Sequence, residues 1–125
     1  MSRVQVRIED ARGRVVCERC TMADRPHTRA RGLLGRRELS QSDGLLLRPA
    51  PSIHTWFMRF PIDAVFLDAD LRVIGVSPEL RPWRVAARRG ARAVLELAAG
   101  EAQRRGVEPG AGLRLAEPTG GDHGR

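Results

Sequence analysis

A chain of 125 residues with 42% hydrophobic content is sized for one domain that can bury a core without disulfides or metal. No run of 18 apolar residues occurs, and the opening MSRVQVRIEDARGR alternates charged with apolar side chains; both features speak against a membrane partner and an export signal, and a cytoplasmic protein is expected. The formal charge is +7, every basic residue counted in it is arginine, and lysine, tyrosine and asparagine are absent.

Val4, Val6 and Ile8 alternate with Gln5, Arg7 and Glu9, the period of a half-buried strand, and DARG with Gly13 supplies a turn into a second strand, RVVCERC. Asp24 and Pro26 start a short helix that places Ala30, Leu33 and Leu34 on one face. DGLLL, SIHTWFMRF, IDAVFLD and LRVIGVS read as strands, the last two joined by the turn DADL. PELRPWRVAARRG has two prolines and no period, and reads as a surface loop. ARAVLEL is a strand, AAGEAQRRG a second short helix stopped by Gly106, and AGLRLAE a last strand. The pattern predicts a single α+β domain over residues 1–116, built on mainly antiparallel sheet curled toward a barrel, with two short helices and a disordered tail at 117–125.

Three ordered motifs, RGLLGRRELSQSDGLLL, IHTWFMRFPIDAVFLDADLRVIGV and AVLELAAGEAQRRGVEPGAGLRL, resemble the domain of unknown function 192 family over residues 3–115. The resemblance implies a compact β-rich α+β fold and hands over no catalytic residues. Where the family tends to GLM, this chain has Gly32-Leu33-Leu34. Where members often place glycine after FLD it has Asp70-Leu71, so the turn either needs no positive φ or takes it at Asp70. The family's terminal GD is here Gly110-Ala111.

The densest chemistry lies in SIHTWFMRFPID, residues 52–63. As one strand it directs His54, Trp56 and Met58 to one face and Ile53, Thr55, Phe57 and Arg59 to the other. Trp56 and Met58 suit a core; in the functional reading His54 and Met58 instead line a pocket floored by Trp56, with Asp63 returning on the next strand. The favoured function is a small non-enzymatic binding or accessory domain using His54, Trp56, Met58, Arg59 and Asp63, with Arg36 and Glu96 nearby, for a small anionic or polar ligand. An acid/base enzyme of hydrolase type would use His54 and Asp63, whose types suit proton transfer, but no nucleophile-elbow sequence accompanies them.

Cys17 and Cys20 form one C-x-x-C, yet a spacing of three in a strand points them to opposite faces, so redox or metal chemistry is not expected and no cofactor or metal is assigned. Glu96 reads as a solvated strand residue if Ala93, Leu95 and Leu97 face inward; the alternative pairs it with Arg36 or Arg59. An arginine-rich module for nucleic acid or an acidic partner is the remaining class. Nucleic acid is disfavoured because the doublets Arg36-Arg37, Arg88-Arg89 and Arg104-Arg105 are scattered, no aromatic row accompanies them, and missing lysine, tyrosine and asparagine reflect GC-rich coding.

Overall fold

In the computed structural model, which describes residues 5–23, 43–56 and 58–117, the opening alternation forms β1 (Gln5–Asp10). The chain turns through Gly13, at φ 84°, into β2 (Val15–Ala23), and the two pair antiparallel as the sequence predicts. Asp10 fixes the turn. Its Oδ1 accepts the backbone N–H of Arg12 and of Arg14 at 2.8 and 2.9 Å. The predicted helix from Asp24, together with Arg36 and the tail beyond 117, lies outside the described residues.

The chain continues through β3 (Asp43–Leu47), β4 (Ser52–His54), β5 (Ile62–Leu67), β6 (Val73–Leu80), β7 (Val85–Ala87), β8 (Ala93–Ala98), the four-residue helix α1 (Glu101–Arg104) and β9 (Leu113–Ala116). Seven strands form one sheet in the order β6-β5-β8-β3-β2-β1-β9, parallel between β2 and β3 and antiparallel elsewhere; β4 and β7 form a separate antiparallel ribbon. The edge strands approach at one corner through the Arg72–Gly112 bridge, so the sheet curls without closing into a barrel. The described residues are thus mainly β with a single short helix, the second of the two expected; the first lies outside the described residues. The expected loop over PELRPWRVAARRG is corrected: β6 runs to Leu80 and β7 is a strand, because pairing with β4 supplies hydrogen bonds that local propensity does not foretell.

Central strands need apolar residues on both faces, and IDAVFL and AVLEL have them. On one face Cys17, Cys20, Leu46, Val65, Leu95 and Leu97 pack together; on the other Leu45, Ile53, Met58, Ile62, Phe66 and Val94 do. Burial on both faces puts Glu96 opposite Leu45 and Ala64 at 0% exposure, so it is no solvated strand residue.

Cys17 and Cys20 are both fully buried on the same side, against the alternation rule. Val6 pairs with Cys20 and Ile8 with Cys17, so β2 carries one extra residue in a bulge that restores their common direction. Neither thiol forms a disulfide. The neighbouring Cys17 thiol, then burial, push the Cys20 pKa well above its ordinary value, which keeps it a packed, protonated group. At the far edge Glu9 joins β1 to β9, accepting from Arg114 and Arg7. These hydrogen bonds hold its carboxyl below the ordinary 4.5, so the tie persists above that value and is lost as pH falls through the lowered pKa.

The turn after FLD departs differently from expectation. Asp68 Oδ1 accepts the N–H of Asp70 and of Arg72, both at 2.9 Å, and the positive φ falls on Leu71, at 63°, instead of Asp70. Leu71 is retained there because its side chain packs against the core.

Gly44 is required by close approach. A Cβ there would stand 2.7 Å from Cys17 Sγ and 3.1 Å from the Glu96 carbonyl oxygen. Gly44→Ala is therefore expected to destabilise the protein by about 1–3 kcal/mol. Gly75→Ala, which meets only the arginine side chain of Arg88, should destabilise less. Urea denaturation of the two variants measures the difference, and the reverse ranking would contradict this packing.

Candidate functional site

The segment 52–63 does not run as one strand. β4 ends at His54, and the Met58 N–H donates to the Thr55 carbonyl at 3.2 Å, closing a turn. Alternation holds up to that turn, with Ile53 and Thr55 buried and His54 and Trp56 exposed; the turn then sends Met58 back into the core. The face expected to meet the core therefore splits: Met58 is buried at 6% exposure, whereas Trp56 is 46% exposed.

Thr55 anchors this arrangement. Its hydroxyl donates to the Arg81 carbonyl at 2.6 Å and accepts the Arg84 N–H at 2.8 Å. Its own N–H donates to the Arg84 carbonyl at 2.8 Å, and its carbonyl accepts the Trp83 N–H at 2.9 Å. These bonds extend the β4–β7 ladder by one residue on each strand and hold residues 81–84 against the ribbon. Trp83 adopts φ 64°, a conformation that a bulky residue keeps only when its surroundings impose it.

The outward side of this ladder is aromatic. His54 stands directly opposite Val85, and its ring stacks on Trp56 with centroids 4.6 Å apart and planes 29° from parallel. Trp83 and Val85 are 56% and 63% exposed; with Trp56 they are the large exposed hydrophobics among the described residues. Arg59, Arg81 and Arg84 are exposed around them, and Arg84 Nη1 donates to the Trp83 carbonyl at 3.3 Å. The sequence singled out His54 and Trp56 but neither Val85, which pairing sets opposite His54, nor Trp83, whose N–H donates to the Thr55 carbonyl; both lie about thirty residues along the chain.

Asp63 is elsewhere. It stands opposite Leu97, on the face of β5 away from Ile62 and Ala64, where the ribbon packs. It is 1% exposed, and both oxygens accept backbone amides: Oδ1 from Glu79 and Oδ2 from Ala102, each at 2.8 Å. The Glu79 amide comes from a bulge in β6, between the pairs Ile62–Leu80 and Ala64–Ser77. The Ala102 amide is in the first turn of α1, whose N-cap, Gly100, has no side chain to cap it. One carboxylate thus satisfies two amides that ladder and helix leave over. His54 and Asp63 are not brought together, and the sequence order alone had placed them in one pocket.

An open groove of about 370 Å³ lies between β6 and α1, lined by Val76, Pro78, Gln103, Val107, Glu108 and Pro109 among others. Its lining is mainly apolar, with Gln103 and Glu108 as the polar side chains. No cluster of three or more His, Cys, Asp or Glu residues suited to a metal occurs among the described residues.

Asp63→Asn keeps one acceptor and turns an amide N–H₂ toward the other backbone N–H. It is expected to destabilise the fold by about 1–3 kcal/mol while leaving the His54 NMR titration unchanged, since the two groups lie on opposite faces. A shift of the His54 titration in a folded Asp63→Asn protein would contradict this placement.

None of the curated proteins matches the chain. Two crystal structures resemble it in fold. One is described as "a putative transcription regulator" from Sinorhizobium meliloti 1021, with a TM-score of 0.79 and 26% identity over 92% of this chain and 96% of that one. The other, a protein of unknown function from Novosphingobium aromaticivorans DSM 12444, has a TM-score of 0.75 and 28% identity over 90% and 84% of the respective chains. The sequence model of the domain of unknown function 192 family, described as an uncharacterized ACR, matches residues 6–115, and the chain belongs to that family.

Proposed function

We propose that the protein is a small non-enzymatic binding domain whose ligand docks on the outward side of the β4–β7 ribbon, against His54, Trp56, Trp83 and Val85. Arg59, Arg81 and Arg84 at its margin engage an anionic or polar group of that ligand. The observation that carries this reading is the outward aromatic surface on a backbone pinned by a fully buried hydroxyl. Exposed tryptophans on a mobile loop could be incidental; here four hydrogen bonds through Thr55 hold the loop that presents Trp83. Preorganised aromatic anchors bind with less loss of entropy than flexible side chains. Met58 supports the surface from beneath. Asp63 and Glu96 serve the sheet, and acid/base catalysis by His54 with Asp63 has less support because that carboxylate is engaged on the opposite face of β5.

Titration of ¹⁵N-labelled protein with sodium tripolyphosphate, followed in ¹H–¹⁵N spectra, tests the placement. The expected shifts gather at the Trp56 and Trp83 indole N–H groups and the amides of residues 81–85. Arg81→Gln combined with Arg84→Gln should weaken the interaction by about five- to tenfold. Shifts gathered around α1 and β6, or none at millimolar ligand, would overturn the reading.

A further inference from the structure

We infer that the ligand of the ribbon is single-stranded nucleic acid, with its phosphates held by arginines and its bases stacked on Trp56 and Trp83. This rests on the binding face proposed above.

Charge is divided sharply within the chain. The segments that build the ribbon and join it to the main sheet, residues 48–61 and 80–92, contain Arg48, Arg59, Arg81, Arg84, Arg88, Arg89 and Arg92 and no Asp or Glu. All seven arginines are exposed. The 15 arginines that remain are matched by the 15 acidic residues, all of which lie elsewhere, so the entire excess of +7 belongs to the ribbon and its connections. Ion pairing follows the same division. Of the eight described arginines outside these segments, six hold Glu9, Asp10, Asp43 or Glu101. Among the described residues none of the seven forms an ion pair; Arg84 and Arg88 reach backbone carbonyls, and Arg88 also lies over the Phe66 ring. GC-rich coding would load every segment with arginine, but it would not remove carboxylates from these two segments alone.

A concentrated cationic surface takes a polyanion. The aromatic groups narrow the class. Arg81 and Arg84 flank one end of the ribbon and Arg89 the other, while Arg88 lies against Phe66 and β6, a distribution that tracks an extended backbone rather than one phosphate. Trp56 is already stacked on His54, which fixes its ring as the start of a stack that a base can extend. In a duplex the faces of the bases are covered by their neighbours, so outward indoles have nothing to stack on; in a single strand they are free. Exposed guanidinium planes add stacking of their own.

Fluorescence anisotropy with fluorescein-labelled dT12, an abasic 12-mer of the same phosphate count, a 12-base-pair duplex, and phosphatidylglycerol vesicles as competitor tests the inference. The expected result is dT12 binding about fivefold or more tighter than the abasic oligomer, with the duplex weaker than dT12 and quenching of tryptophan emission in the unmodified protein. Trp56→Ala should narrow the gap between dT12 and the abasic strand by lowering dT12 affinity more than abasic affinity, while Trp56→Phe restores part of it. Equal binding of dT12 and the abasic strand would overturn base stacking while leaving an anion-binding face in place. Preference for the duplex, or displacement of dT12 by vesicles at equal phosphate, would overturn the single-strand class. Absence of binding to either oligomer at low salt would overturn this inference together with the reading beneath it.

Discussion

The Thr55 hydroxyl is the constraint on which the outward surface depends. It lies fully buried between two short strands, and its hydrogen bonds to Arg81 and Arg84 make residues 81–84 an extension of the β4–β7 ladder. Each such bond contributes about 0.5–1.5 kcal/mol net, and leaving the partners unsatisfied costs more. That is enough to hold one tryptophan at a positive φ, whose strain is of order 1–3 kcal/mol. Ile53 and Met58 fasten the other side of the ribbon to the core, so His54 and Trp56 are left with nowhere to go but outward.

The main sheet uses the same device on a larger scale. Its strands are interrupted by bulges, and polar groups from elsewhere in the chain take up the backbone groups the bulges release. Asp63 serves both the β6 bulge and the first turn of α1. The extra residue in β2 turns Cys17 and Cys20 the same way, and Gly44 makes room for the first of them. These positions are chemically provocative in the sequence and structural in the fold.

Legibility followed the range of the interaction responsible. The β1–β2 hairpin, β3, the β5–β6 pair, β8 and β9 were readable because alternation and turn residues act locally. β7 was not, since Pro82 and a featureless VAA give no period and only the distant β4 makes it a strand. Alternation failed wherever a bulge or turn changed parity: at Cys20, at Met58, and in the pairing of His54 with Asp63. Glu96 misled because a central strand buries both faces, which one strand's pattern cannot reveal. Trp83 was overlooked because residues 48–61 and 80–92 are brought together only through the long-range pairing of β4 with β7.

The central claim is that charge on the ribbon, and not net charge alone, holds a nucleic-acid strand. The salt dependence of dT12 binding tests it most directly, compared between two double variants of equal charge loss: Arg81→Gln with Arg84→Gln on the ribbon, and Arg12→Gln with Arg72→Gln on exposed positions elsewhere. The account predicts that the ribbon variant flattens the slope of log affinity against log salt by about 1.4, one released counterion set per lost phosphate contact, and that the distant variant leaves it unchanged. Equal slopes for the two variants would contradict it.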